Sequence, residues 1–170
     1  MPILDDLDDV FRIAFGLLLV LLISASLAHG QGKAEQAIIT SLNAARVAEG
    51  LKPMAANADL CSAAAKYARE CSKTVWQHNL YPTTYVREHS EYFTGYDGQV
   101  GELLAHPLRV DPAWTWLHSD AHRAVLMLPW WKDIGIGTVS GKNSGAVGFV
   151  GIRWPKDARA AAQQQCVGGT

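Results

Sequence analysis

The stretch Trp116-Leu117-His118-Ser119-Asp120-Ala121-His122-Arg123-Ala124-Val125-Leu126 places a tryptophan, two histidines and a serine within one short segment. A helix is predicted to begin at Asp111-Pro112, because aspartate can cap a helix and proline fits its first turn. A second helical segment is predicted from Ala121 to Leu128, where Pro129 ends it. The segments on either side of these two helices predict the rest of the fold.

The spacing of the two histidines in this stretch allows two interpretations. His118 and His122 are four residues apart and share a helical face only if the helix continues through Ser119. Zinc proteases use the same spacing, but they carry a glutamate base directly after the first histidine, where this chain has Ser119. A break at Ser119 would separate the imidazoles, so His118 is the weaker candidate for a ligand.

The residues that follow change from helical to alternating periodicity. Strands are predicted near 133–139 and 146–154, joined by a glycine-rich turn at 141–145, which is the pattern of a hairpin. Five large apolar residues are expected in the core: Trp116, Ile134, Ile136, Val147 and Phe149. The other tryptophans, Trp114, Trp130, Trp131 and Trp154, are expected to pack the helices on the sheet, with Trp130-Trp131 as an exposed lipid or partner surface in the alternative.

The residues that precede the stretch are mainly helical in pattern. One helix is predicted from Glu35 to Glu49 and ends at Gly50, and another runs to about Ser72 with Asn57 or Asp59 as its cap. A short helix is also predicted at 86–92. Helices followed by a hairpin indicate an α+β domain.

Four polar residues from separate segments are the candidates for a site: His78, Glu102, Ser119 and His122. Imidazoles and a carboxylate brought together suit a divalent metal ion or acid–base chemistry. Each residue taken alone is as readily an ordinary surface or core side chain, and His78 could simply cap the end of its helix. The spacing alone therefore does not decide among these readings.

The order of the motifs resembles the CAP family, which includes the pathogenesis-related, antigen 5 and cysteine-rich secretory proteins, and particularly its compact bacterial members. The matching motifs are Asn43-x-x-Arg46, Gly50-Leu51-x-Pro53-Met54, Gly101-Glu102-Leu103-Leu104, the stretch from 116 to 126, and Asp133-Ile134-Gly135-Ile136-Gly137. The resemblance implies a three-layer α-β-α sandwich around a small antiparallel sheet, within a domain at 35–155.

The resemblance also implies a cavity formed by His78, Glu102, Ser119 and His122, with zinc held by His78 and His122. The chain departs from the family pattern at three points. Ser119 stands where plant and animal members have a second glutamate, Leu103 replaces an asparagine, and Asp120-Ala121 replaces Pro-Gly. These departures imply a weakened or absent metal site.

Two functions follow from this reading. The first is a secreted binding module that holds a metal, lipid, protein or small molecule and breaks no bond, so that no catalytic residue is assigned. The second is a metal-assisted protease or esterase in which Glu102 is the base that activates water. The missing second carboxylate and the lack of a recognisable nucleophile motif favour binding, and enzymatic activity is left open.

The first 28 residues are interpreted as a signal peptide or membrane anchor. Residues 13–28 are almost wholly apolar and end in Ser26-Leu27-Ala28, which suits a signal peptidase. As a helix this stretch spans about 24 Å, less than the roughly 30 Å hydrocarbon core, which favours cleavage. We expect the protein to be secreted or periplasmic, with a membrane-anchored domain outside the cytoplasm as the alternative.

The cysteines and the charge limit the remaining possibilities. Cys61 and Cys71 lie on one predicted helix about 15 Å apart, too far for a disulfide, so Cys61 with Cys166 in the tail at 156–170 is the plausible bridge. Cys71 is expected to be a buried, inert thiol. The net charge of −1 gives no basic surface for nucleic acid. We expect a monomer with an extracellular or envelope ligand.

Overall fold

The computed structural model describes residues 32–78, 84–85, 93 and 96–153, and the predictions for 1–28, 86–92, Trp154 and the C-terminal tail lie outside these residues. The helices are α1 (Lys33–Ala48), α2 (Ala58–Lys73), α3 (Pro112–Leu117) and α4 (Asp120–Leu126). The strands are β1 (Ala55–Ala56), β2 (Thr84–Tyr85), β3 (Gly98–Ala105), β4 (Asp133–Val139) and β5 (Gly145–Arg153).

The strands form one sheet in the order β1-β4-β5-β3-β2. The predicted hairpin is confirmed, because β4 and β5 pair antiparallel from Asp133↔Gly151 to Val139↔Gly145. The sheet is mixed rather than wholly antiparallel, since β1 runs parallel to β4. A strand of two residues is too short to show alternation of apolar and polar side chains, so the sequence could not indicate β1.

The two faces of the sheet are covered by different helices, which confirms the α+β sandwich. Successive side chains of a strand point to opposite faces, and β4 and β5 are buried on both. One face packs against α1, α3 and α4, and the other packs against α2. All five predicted core residues, Trp116, Ile134, Ile136, Val147 and Phe149, are buried.

Glycines in β4 bring the α2 helix unusually close to the sheet. A methyl group on Gly135 would lie 2.2 Å from the backbone carbonyl carbon of Leu60, and one on Gly137 would lie 2.4 Å from that of Ala64. Real carbons do not approach so closely, so only glycine fits at either position. The helix backbone therefore rests directly on the strand.

The Asn43-x-x-Arg46 motif on α1 is structural. The Asn43 amide donates to the Met54 carbonyl and accepts from the Met54 N–H, both at 2.8 Å, so it fixes the segment leading into β1. Arg46 is fully buried and donates to three carbonyls, those of Lys52, Leu126 and Leu128. The guanidinium thereby joins α1 to the C-terminal end of α4.

The prediction that the tryptophans all pack between the layers is wrong for two of them. Trp116 and Trp131 are buried, whereas Trp114 is 54% exposed and Trp130 is 44% exposed. The alternative of an exposed Trp130-Trp131 pair is also wrong, because Trp131 packs inward and its indole N–H donates to the Val125 carbonyl. The sequence does not distinguish a tryptophan at a helix surface from one in the core, because the burial of each depends on tertiary packing.

Two of the three cysteines lie in the described part of the chain. Cys61 and Cys71 are both buried on α2 and form no disulfide with each other, as their separation along the helix requires. The proposed partner Cys166 lies outside the described residues. Among the described helices, none has the length and hydrophobicity needed to cross a bilayer.

Candidate functional site

His78 and Glu102 form a close pair between the end of α2 and the middle of β3. The Nδ1 atom of His78 lies 2.7 Å from Oε1 of Glu102. The side chain of Glu102 is 1% exposed, whereas that of His78 is 51% exposed. If Glu102 is ionised, its carboxylate can only accept a hydrogen bond, and His78 then carries its proton on Nδ1 and its lone pair on Nε2.

The segment that carries His78 is anchored although it has no regular structure. The α2 helix ends at Lys73, where the Asn143 amide from the β4–β5 turn donates to the Ser72 carbonyl at 2.6 Å. Trp76 then stacks on His106 with ring centroids 5.2 Å apart. It also covers Gly145, where a methyl group would lie 2.2 Å from the indole ring. These contacts bring His78 back to the sheet, and its predicted alternative role as a simple helix cap is not observed.

His122 reaches the same place from α4, with Ser119 beside it. Ser119 is the N-terminal cap residue of α4, but its side chain makes no capping hydrogen bond to the helix backbone. Its hydroxyl instead lies 3.0 Å from Nδ1 of His122. A serine hydroxyl can accept a hydrogen bond from Nδ1–H, and in that tautomer Nε2 of His122 carries the lone pair.

The two imidazoles face one another, with ring centroids 5.6 Å apart and an angle of 33° between the planes. His78 follows α2 on one face of the sheet, and α4 packs against the other face. The four residues predicted from the sequence therefore form two pairs, His78 with Glu102 and Ser119 with His122. The structure brings the pairs together through the two histidines.

His118 does not share the arrangement. The α3 helix ends at Leu117 and α4 begins at Asp120, so the break at Ser119 separates the two histidines that are four residues apart. The His118 ring stacks on Trp114 with centroids 4.2 Å apart, and its Nδ1 donates to the Trp114 carbonyl at 2.8 Å.

Both site histidines favour the uncharged form. Burial lowers the pKa of His78. Burial, followed by repulsion from the charge of His78, lowers the pKa of His122. At neutral pH both rings are therefore neutral, which is the state that binds metal ions.

The fit of a zinc ion can be judged from this donor set. Two imidazoles bound to one ion at about 2.0–2.1 Å place their centroids roughly 5–6 Å apart, and the observed separation is 5.6 Å. Each Nδ1 has a hydrogen-bond partner, as metal-binding histidines usually do. Within the described residues no group of three or more His, Cys, Asp or Glu side chains could hold a metal ion. The residues fit an open, two-histidine site and not a closed four-ligand site.

Several residues that shape this site carried no signal in the sequence that pointed to it. Asn143 belongs to the turn predicted at 141–145, but its role as a cap on α2 depends on a contact across 71 positions. Trp76 and Gly145 are likewise joined only in the folded chain. The sequence pointed only to His78, Glu102, Ser119 and His122 as site residues.

The fold and the site together define an α-β-α sandwich domain. Its site contains one histidine that follows α2, one histidine on α4, and a buried glutamate in contact with the first of these. A profile of the cysteine-rich secretory protein family (CAP) matches residues 39–152. The chain belongs to that family, which confirms the resemblance seen in its motifs. No curated protein matches the chain by sequence.

Solved structures with the same fold include three bacterial proteins. An outer surface protein of Borrelia burgdorferi has a TM-score of 0.60 and 20% identity, and the match covers 70% of this chain and 92% of that one. An extracellular protein of Bacillus anthracis that contains an SCP domain has a TM-score of 0.56 and 20% identity, covering 70% and 40%. A cysteine-rich secretory protein of Staphylococcus aureus has a TM-score of 0.54 and 18% identity, covering 74% and 40%. This chain thus spans less than half of the last two proteins.

Proposed function

We propose that the protein is an exported CAP-domain binding module whose two histidines, His78 and His122, hold a divalent metal ion such as zinc weakly. The observation that carries the proposal is the 5.6 Å separation of the two rings. The lowered pKa values of both imidazoles support it, since neutral imidazoles require no proton release to bind. The ion would present a Lewis-acidic position to an extracellular or envelope ligand.

Glu102 and Ser119 serve this function by holding the ligands and not by anchoring the ion. The Glu102 carboxylate contacts Nδ1 of His78 at 2.7 Å, and the Ser119 hydroxyl contacts Nδ1 of His122 at 3.0 Å. A neutral hydroxyl holds an imidazole less strongly than a carboxylate does, which supports weak metal binding. The alternative of a hydrolase with Glu102 as base is less well supported, because its side chain is buried against His78.

Isothermal titration of the purified protein with zinc at pH 7.5 tests the proposal. We expect one weak site in the native protein that is lost in His78→Ala and in His122→Ala, with far-UV circular dichroism unchanged. Glu102→Gln should weaken binding less, because the glutamine carbonyl can still accept a hydrogen bond from Nδ1–H of His78. His118→Ala is the matched control, since that histidine bonds to its own helix outside the site.

Three outcomes would refute metal binding at this site. They are no heat of binding in the native protein, binding that survives both site variants, and binding that depends on His118. The protein would then be a metal-free member of the family. A protease and esterase screen with and without chelator tests the hydrolase alternative on the same samples.

Export is the second part of the proposal. The sequence of residues 13–28 and the site Ser26-Leu27-Ala28 support it, and the matched relatives include an outer surface protein and an extracellular protein. We expect intact-mass analysis of material from the secreting host to show the loss of about 28 residues. A full-length chain found only in the cytoplasm would contradict export, and a full-length chain in the membrane fraction would support the anchor.

A further inference from the structure

The backbone of Gln77, the residue immediately before His78, is contacted by two side chains of α2. The Tyr67 hydroxyl donates a 2.6 Å hydrogen bond to the carbonyl of Gln77. The Cys71 thiol is hydrogen-bonded to the backbone of Gln77 and to the Tyr67 side chain. Tyr67 and Cys71 are four residues apart, so they lie on one face of the helix, one turn from each other.

Both side chains are themselves held by the core. Tyr67 is 6% exposed and Cys71 is 2% exposed. The Tyr67 ring packs on Phe149 of β5, with centroids 6.3 Å apart. The hydroxyl therefore has a position set by the sheet and the helix together, and Gln77 takes its position from that hydroxyl.

We propose that Tyr67 and Cys71 are positioning residues for His78, which they hold over Glu102 and opposite His122 by fixing the backbone of Gln77. This inference rests on the proposed function, because the affinity for a metal ion is the property that depends on the position of His78. Residues 75–78 have no helical or strand hydrogen bonds to fix them. A metal site demands placement of its ligands within about 0.5 Å, so an anchor one residue away affects affinity.

A purely structural role for Tyr67 makes a different prediction. If the hydroxyl only satisfies a buried carbonyl, its removal lowers the stability and leaves the site unchanged in the molecules that remain folded. If it positions His78, its removal also weakens zinc binding and disturbs the contact of His78 with Glu102 before any metal is added. The two roles are therefore separable by measurements on folded protein.

The test compares Tyr67→Phe with Tyr96→Phe in the full-length protein. Each variant removes one tyrosine hydroxyl and keeps the ring, and the buried Tyr96 donates to Asp133 at 2.9 Å and not to the backbone of Gln77. We expect Tyr67→Phe to raise the dissociation constant for zinc about tenfold, at the low end of the effects of residues that orient ligands. Tyr96→Phe should leave it within about twofold, because its hydroxyl bonds to Asp133 and not to the residue before His78.

A second measurement needs no metal. In the native protein the Nδ1 proton of His78, donated to Glu102, should give a slowly exchanging, low-field proton resonance. Tyr67→Phe should broaden or remove this resonance, and Tyr96→Phe should preserve it. Unchanged zinc affinity together with an unchanged resonance in Tyr67→Phe would overturn the inference.

The two measurements also keep this inference separate from the proposed function. If the native protein binds no zinc, the proposed function fails, and the resonance alone decides whether Tyr67 positions His78. Cys71→Ala provides a second variant should Tyr67→Phe fold poorly, and it should act in the same direction. Because both side chains hold the backbone of one residue, Gln77, the effects of the two substitutions on affinity should not add. Strict additivity would show that they do not act through Gln77.

Discussion

Replacement of Arg46 by methionine is the most informative test of how this fold is held together. The Arg46 side chain is fully buried, and its guanidinium donates to the carbonyls of Lys52, Leu126 and Leu128. Methionine fills a similar volume and removes all three hydrogen bonds. The substitution therefore measures whether a buried cation bound only by carbonyls stabilises the domain.

The expected magnitude follows from two opposing terms. Hydrogen bonds to a charged group contribute about 1.5–3 kcal/mol each, so three of them contribute roughly 4.5–9 kcal/mol. Against this stands the desolvation of the guanidinium, which costs several kcal/mol. The same burial lowers the pKa of Arg46, and Nη2 has no hydrogen-bond partner in the described part of the chain. We expect Arg46→Met to reduce the free energy of unfolding by about 2–4 kcal/mol, because the three carbonyls stay buried.

Urea denaturation followed by tryptophan fluorescence measures this change, with equal slopes for the two proteins showing that the same surface unfolds. Arg123→Met is the matched control, because the bond of Arg123 to Glu49 at 2.6 Å is largely exposed. An exposed pair of this kind contributes about 0–1 kcal/mol. An unfolding free energy of Arg46→Met equal to or above that of the native protein would show that desolvation outweighs the three bonds, and would refute the reasoning.

Two further predictions concern the site histidines and the exposed aromatic residue. Burial lowers the pKa of His78 and of His122, so near pH 6.5 the unfolded chain binds protons that the folded chain does not. The stability that the two histidines contribute is therefore complete above about pH 6.5, and it is lost as the pH falls through their lowered pKa values. Denaturation curves between pH 8 and pH 5 should show this loss, and a double variant with asparagine at both positions should show less of it. Trp116→Ala should destabilise the domain by about 3–5 kcal/mol and Trp114→Ala by about 0.5 kcal/mol or less, and equal melting temperatures for the two variants would contradict the assigned burial.

Local signals in the sequence predicted the α+β class and its hairpin, and the resemblance to the CAP family implied the three-layer sandwich. Asn57 caps α2 through Asp59 and Leu60 N–H groups, and Asp111 caps α3, as their residue types suggest. The change from helical to alternating periodicity at residue 133 marked the hairpin to within one residue at either end. The chain order of the four polar residues then allowed the site to be predicted.

The sequence did not predict features that depend on contacts between distant segments. The motif containing Arg46 was recognised, but its bonds to Leu126 and Leu128 cross 80 and 82 positions. Trp114 and Trp116 lie two residues apart on one short helix, and only the packing of α3 decides which is buried. The pairing of Ser119 with His122 required the break between α3 and α4 to be placed to the residue.

The close approach of α2 to β4 has a consequence for how the protein tolerates change. At Gly135 and Gly137 the distance between α2 and the sheet is set by contact between main-chain atoms. Volume-conserving exchanges of side chains elsewhere in the two cores are tolerated best, because they fill the space between the layers without forcing backbone shifts. The distance between α2 and the sheet is therefore fixed at two positions that carry no side chain, and alanine at either one would push the helix away from β4.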